Sequence, residues 1–211
     1  MQKNVSRLMV DGVLFIMALC GVYLQLMPNK WYNLTFYTVV SNLLVTGLWL
    51  VMVVCQLAGR TSWLHSAKFI RLKGALTMAI LLTFFVYVGL LMPRSTAEQF
   101  WRWSNLLTHL IVPLATLAEW WIYDARGKYD MFDPVRWTVI PLLYMLYALL
   151  RGSLIQTPLT PTWKSSYPYF FMEIDKIGWG GFGLYFVVLL VIYIALGYGL
   201  YYLKRAKNST V

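Results

Sequence analysis

Six stretches of the chain are apolar for long enough to cross a bilayer: Arg7 to Leu26, Phe36 to Leu57, Leu72 to Met92, Ser104 to Tyr123, Arg136 to Leu150 and Gly180 to Leu203. A helix rising about 1.5 Å per residue needs roughly 20 such residues to span the hydrocarbon layer. In that layer every backbone N–H and C=O must pair within a helix or a closed barrel. The apolar runs here are continuous and do not alternate, which selects helices over barrel strands. The fifth run is short, and the spacing allows it to extend at either end. With 60% apolar and 12% charged residues, the composition lies outside the range of a soluble domain. Six spans and their connections use nearly all 211 residues, so no separate soluble domain fits. The expected fold is all-α: a polytopic membrane protein with six transmembrane helices in a single bundle, residues 1–211. Lys3 and Arg7 precede the first run as in a secretion signal. The run is too long for one, however, and ends in Leu26-Met27-Pro28 without a small-residue cleavage pattern, so an uncleaved first helix is expected.

Charge orients the spans. The net charge is +10, and the basic residues alternate down the chain. Lys3 and Arg7, then Arg60, Lys68, Arg71 and Lys73, then Arg126, Lys128 and Arg136, then Lys204, Arg205 and Lys207 fall on one side. The other side holds Lys30, Arg94, Arg102, Arg151, Lys164 and Lys176. The positive-inside rule then puts both termini in the cytoplasm. Trp31, Trp101, Trp103 and Trp163 fall at the expected outer interface, and Trp63, Trp120, Trp121 and Trp137 at the inner one. No aromatic-basic nucleic-acid motif is present, so the expected partner is the membrane and not a nucleic acid. The two cysteines, Cys20 and Cys55, lie at different depths and are expected to be free, buried thiols. No Cys/His cluster has ligand spacing, so neither a metal nor a cofactor is expected.

One connection is long. Arg151 to Trp179 is rich in aromatics, among them Tyr167, Tyr169, Phe170 and Phe171. A loop of this length is a lid, a binding segment, or a layer of aromatics resting on the lipid interface. Gly178, Gly180, Gly181 and Gly183 open the last helix, where small residues allow close helix packing.

Few residues in the spans can do chemistry. His109 falls about one and a half turns into the fourth helix, and an ionisable group there is either functional or a neutral histidine bonded to a neighbouring helix. Thr38 starts the second helix, with Ser41 and Asn42 three and four residues on and hence on the same face. Asn105 precedes His109 by four. The second and fourth spans run in the same direction, so Thr38 and His109 share a depth near the outer end. His65 lies in a loop on the opposite side and cannot serve as a base for Thr38. Asp11 and Glu119 sit near the inner ends of their helices and are expected to pair with inner Arg or Lys residues. Glu119 lies about 15 Å below His109 by helical rise, too far for direct pairing.

The pattern Phe36-Tyr37-Thr38 with Ser41-Asn42, His109 with Pro113 and Glu119-Trp120, Arg151-Gly152, and Tyr167-Pro168-Tyr169-Phe170 with Asp175-Lys176 resembles the androgen-induced family of membrane threonine hydrolases, in particular its six-span bacterial branch. The resemblance covers most of the chain in the same order. It implies hydrolysis of lipid esters, in animal members fatty acid esters of hydroxy fatty acids, by one threonine and one histidine, here Thr38 and His109. It also implies a multi-pass protein of a bacterial cytoplasmic membrane with its active site near the extracytoplasmic face. In such chemistry the histidine takes the hydroxyl proton and returns it to the leaving alcohol. Asn42 and Asn105, supported by Ser41, are then the expected oxyanion donors. Arg151, Lys176 and Tyr167 are the expected substrate contacts, and Asp175 or Glu173 could orient His109. Two other readings stay open: an acyltransferase with the same pair, and a non-enzymatic transporter or scaffold lined by the same polar groups.

Overall fold

A computed structural model describes residues 2–160 and 163–205, with side chains from Val5 onward. Lys3 and Lys207, two of the cations used above, lie outside the described side chains. The described residues contain helices and no β-strand. Six helices are long and apolar enough to cross a membrane: α1 (Gln2–Leu26), α2 (Tyr37–Leu57), α3 (Ala67–Arg94), α4 (Trp103–Tyr123), α5 (Asp133–Leu154) and α6 (Ile174–Leu203). The protein is a multi-pass membrane bundle, and an even number of spans returns the chain to the side from which it started.

The expected spans are all present; five are longer than expected, and α2 begins one residue later, at Tyr37. α5 gains residues at both ends, and α6 begins six residues before Gly180. Gly178 sits inside α6 at φ 67°, a left-handed kink that glycine adopts at no steric cost. That kink accounts for Gly178; a Cβ at Gly180 or Gly183 meets nothing within 4 Å, and at Gly181 it would lie 3.0 Å from Ile177 Cβ of the same helix, so the run is not a close contact with a neighbouring helix. At Gly21 the approach is real, since a Cβ there would lie 3.1 Å from Thr108 Cγ2, where α1 crosses α4.

α1 to α4 form the inner cluster. α1 packs on α2, α2 on α3, and α3 and α1 on α4. Leu14, Ala18, Val45, Trp49, Met52 and Ile80 fill its centre. α5 and α6 lie outside it against α3 and are the least buried spans. Cys20 is exposed on α1 and Cys55 is only half-buried, so neither is buried as expected: Cys20 faces away from that cluster and Cys55 lies at its edge; both thiols are free.

Charge is concentrated at the end of the bundle away from the α1–α2 turn. Lys73, fully buried, pairs with Glu119 at 2.5 Å and also with Asp124. Arg7 lies 3.8 Å from both Asp11 and Glu119, and Gln56 donates to Asp11 at 2.7 Å. The expected pairing of Asp11 and Glu119 with basic residues therefore holds. His65 is exposed at this same end. Lys204 closes the cluster by donating to the carbonyls of Trp121 and Asp124, each at 2.8 Å.

Two helices change their winding near the opposite end. α3 contains a π-turn at Tyr87–Leu91, followed by Pro93, and α4 contains one at Leu107–Ile111, followed by Pro113. Proline has no N–H to offer the carbonyl four residues back, and its ring crowds that carbonyl. Widening the preceding turn to five-residue bonding relieves the crowding. The carbonyl four residues before Pro113 belongs to His109.

Candidate active site

Thr38 is the second residue of α2, and this position frees its hydroxyl. A threonine deeper in a helix bonds back to the carbonyl four residues earlier, as Thr46 does to Asn42 at 2.7 Å. Four residues before Thr38 is Leu34, outside α2. The Thr38 Oγ1 instead lies 3.1 Å from His109 Nε2. The two side chains expected to meet from their depth do meet.

The other ring nitrogen sets the tautomer. His109 Nδ1 is 3.1 Å from the Asn105 carbonyl and 3.2 Å from Thr108 Oγ1. The carbonyl can only accept. The Thr108 hydroxyl proton is already donated to the Ser104 carbonyl at 2.7 Å. Nδ1 therefore carries the proton, and Nε2 presents its lone pair to the threonine hydroxyl. Gln25 of α1 donates to Thr108 Oγ1 at 3.1 Å, tying this support to a third helix. The imidazole also lies against the Tyr87 ring, with centroids 4.4 Å apart. The two π-turns thus face each other across the histidine. Neither Asp175 nor Glu173 orients it: Asp175 is exposed and Glu173 pairs with Lys176.

The expected oxyanion donors have other duties. Asn42 Nδ2 donates to the Thr38 carbonyl at 2.7 Å and to the Thr108 carbonyl at 3.0 Å, which uses both its protons. Asn105 Nδ2 donates to Tyr87 Oη at 2.6 Å and to the Phe100 carbonyl at 3.1 Å, with the same result. Ser41 bonds the Thr38 carbonyl at 3.1 Å and Thr83 Oγ1 at 2.7 Å. All three brace helices: Asn42 joins α2 to α4, Ser41 joins α2 to α3, and Asn105 joins α4 to α3.

The segment between α5 and α6 folds back over this end and supplies a different group. Tyr169 is buried, and its hydroxyl accepts from the Thr38 backbone N–H at 3.4 Å. Its ring is stacked on Phe171 at 5.1 Å and meets Phe36 edge-on at 5.8 Å. Burial pushes the phenol above its usual range, with hydrogen bonding to Thr38 pulling the other way. It therefore stays a neutral O–H donor. The Thr38 N–H is one of the amides that the first turn of a helix leaves without a partner in the helix, and the positive end of the α2 dipole lies there. Their mutual bond is long, so both donors lie beside the Thr38 hydroxyl in a position to turn to a stronger acceptor there.

Two chambers adjoin Thr38. One, of about 120 Å³, lies among α2, α3, α5 and α6 and is lined by Leu82, Val86, Met145, Phe171 and Leu189 beside Thr38 and Tyr169. The other, of about 530 Å³, is a polar cleft at the loop end, bordered by Gln25, Asn33, Ser104 and His109 as well as Thr38 and Tyr169. Its cations are Lys30, Arg94 and Arg102.

The expected substrate contacts do not border either chamber. Arg151 donates to the Ser166 carbonyl at 2.8 Å and clamps the loop to α5. Tyr167 is buried against Gly152, where a Cβ would clash with its ring. Lys176 is exposed and paired with Glu173. Two signals for the residues missed lay in the sequence: the prolines that force the π-turns, and the fact that Lys30, Arg94 and Arg102 share the sparsely charged side. Among the described residues no cluster of His, Cys, Asp or Glu could hold a metal ion. No family model, no curated protein and no solved structure matches the chain.

Proposed function

We propose that the protein is a lipid ester hydrolase that uses Thr38 as nucleophile and His109 as general base and acid. The observation that carries this reading is the 3.1 Å contact between Thr38 Oγ1 and a His109 Nε2 whose tautomer is set to accept a proton. In the first step Nε2 takes the hydroxyl proton while Oγ1 attacks the ester carbonyl. The Thr38 N–H and the Tyr169 O–H receive the developing oxyanion. The carbon–oxygen bond to the alcohol then breaks, and Nε2–H protonates the departing oxygen. Water entering from the cleft gives a proton to Nε2 as it adds to the acyl-threonine; the bond from the acyl carbon to Thr38 Oγ1 then breaks, Nε2–H returns the proton to Oγ1, and the carboxylic acid leaves. Asn105 and Thr108, through Nδ1, hold the ring in place and stabilise the imidazolium, as a carboxylate does in a three-member arrangement.

The positive-inside rule puts this site near the extracytoplasmic face, with both termini in the cytoplasm. The resemblance to the androgen-induced threonine hydrolases points to long-chain esters, including fatty acid esters of hydroxy fatty acids, in a bacterial cytoplasmic membrane. The test is hydrolysis of a long-chain ester by purified protein, with labelling by a fluorophosphonate. Turnover and labelling lost in both Thr38→Ala and His109→Ala, with unchanged thermal unfolding, support the reading. Turnover that survives in both variants refutes it. Transfer of the acyl group to an added alcohol in preference to water identifies an acyltransferase, and a protein that neither labels nor turns over any ester is a non-enzymatic lining of the same polar groups.

A further inference from the structure

The apolar chamber beside Thr38 is smaller than the chain it is proposed to hold. A cavity of about 150 Å³ admits benzene, so one of about 120 Å³ takes roughly half a dozen carbons. A long acyl chain exceeds this, and its remaining methylenes must leave the chamber on some side. The inner end is closed. Tyr193, buried there, donates to the Trp137 carbonyl at 3.1 Å, and a Cβ added to Gly197 would lie 3.1 Å from Pro134 Cβ. The loop closes the outer end, where Phe170 and Phe171 meet the Tyr185 ring at 5.8 and 6.0 Å. Between these two clasps α5 and α6 pack on α3 rather than along each other. The lining follows the gap. Tyr37, Phe171 and Met172, on the α2 and loop side, are buried, whereas Leu142 and Met145 of α5 and Leu189 and Leu190 of α6 are half-buried. Beside them in sequence, Leu143 and Val187 are exposed on the bundle surface.

His109 decides which part of an ester faces this chamber. It borders the polar cleft and not the apolar chamber. The group that protonates the leaving oxygen must lie on the leaving side, so the alcohol portion faces the cleft and the acyl chain the chamber. Drawing that chain out through the cleft would put its methylenes in water, at roughly a fourfold loss in partition for each. Sideways passage keeps them in hydrocarbon throughout. We infer that the gap between α5 and α6 is a lateral opening to the bilayer, through which the acyl chain enters and leaves the Thr38 chamber and in which its distal methylenes rest during reaction. That the chain belongs to an ester rests on the hydrolase reading; its seat in the gap does not require turnover.

Two measurements in nanodiscs of ether-linked phosphatidylcholine, which offers no ester, test this. The first needs no catalysis. A palmitate ester bearing a mid-chain diazirine is photolysed with the Thr38→Ala protein, and the label is mapped by peptide mass spectrometry. Label removed by excess unlabelled ester should fall on both Leu142–Met145 and Leu189–Leu190, while label on the outward Leu143 and Val187 should not be competed. Competed label confined to α3 or to the cleft, or no competed label at all, overturns the inference. The second measurement narrows the gap. Leu142→Trp or Leu190→Trp should lower the ratio of kcat/KM for a palmitate ester to that for a butyrate ester by about tenfold or more, because only the longer chain needs the opening. Leu143→Trp, one residue along on the surface, should leave that ratio unchanged. If one of the two variants unfolds, the other decides. A ratio unchanged in the folded variants, with both esters turned over, overturns the opening and leaves the hydrolase standing. Competed label in the gap with no ester turned over by the unsubstituted protein refutes the hydrolase and leaves the gap as a seat for a lipid chain.

Discussion

Replacing Tyr169 by Phe separates chemistry from architecture. The phenyl ring keeps its stack on Phe171 and its edge contact with Phe36, so the loop keeps its seat. Only the hydroxyl is lost; it also meets the Tyr37 backbone, the Thr38 side chain and Tyr144, and its bond from the Thr38 N–H is long at 3.4 Å. A good intramolecular hydrogen bond contributes about 0.5 to 1.5 kcal/mol, and this one belongs at the lower end of that range. Thermal unfolding in detergent should therefore shift by no more than a few degrees. The effect on turnover should be far larger. Removing one preorganised oxyanion donor costs about 2.7 to 4 kcal/mol in the transition state, or 10²- to 10³-fold in kcat. KM should change little, because the donor acts on charge that is absent from the bound ester. Steady-state hydrolysis of a long-chain ester over a range of concentrations, together with an unfolding curve, gives both numbers. A kcat within about threefold of the unsubstituted protein would remove Tyr169 from the reaction and leave the Thr38 N–H as the only donor proposed here.

Three further outcomes follow, two from the bracing around the pair and one from the ion cluster at the opposite end of the bundle. Asn42→Ala removes one bond within α2 and one from α2 to α4 and should cost about 1 to 3 kcal/mol of stability, read as a lowered unfolding temperature, with kcat falling as the α2–α4 brace relaxes. Pro113→Ala restores an N–H that can bond the His109 carbonyl and closes the widened turn; unfolding temperature should rise, by an amount bounded by about 3 kcal/mol, while ester turnover falls at least roughly tenfold. Lys73→Met leaves Glu119 and Asp124 buried without their shared cation and should cost about 3 to 5 kcal/mol, whereas adding Glu119→Leu and Asp124→Leu should recover part of the loss, as measured by yield of folded protein and unfolding temperature.

The parts of this molecule that follow from solvent alone were legible in the amino-acid order. Apolar length and continuity define the six helices, since hydrocarbon leaves the backbone no other way to pair. Thr38 and His109 could be matched because depth along two helices running the same way is counted from their ends. The duties of Asn42 and Asn105 could not be read in this manner. An amide donates to whichever carbonyl lies opposite, and the widened turn at Leu107–Ile111 decides which carbonyls those are. Pro113 is the local trace of that turn, but its consequence for His109 appears only once the helix is wound. Tyr167 and Tyr169 pose a similar problem. They are two residues apart with similar chemistry, and only the path of the loop across Gly152 sends one against α5 and the other to Thr38. Arg151 and Lys176 were plausible anion contacts by side of the membrane; the loop clamp and the ion pair with Glu173 take them elsewhere.

The division of space around Thr38 has a consequence for the second half of the proposed reaction. With the acyl chain seated among α3, α5 and α6, the alcohol leaves through the same doorway that the next nucleophile must use. Departure and arrival are then a queue at one threshold, and the acylated threonine waits until the first occupant has gone. A slow-leaving alcohol can return and rebuild the ester, while a competing alcohol in that passage can capture the chain before water does. In the proposed reaction the fate of the acyl group is thus decided by traffic through the entrance as much as by the two side chains proposed to cut the bond.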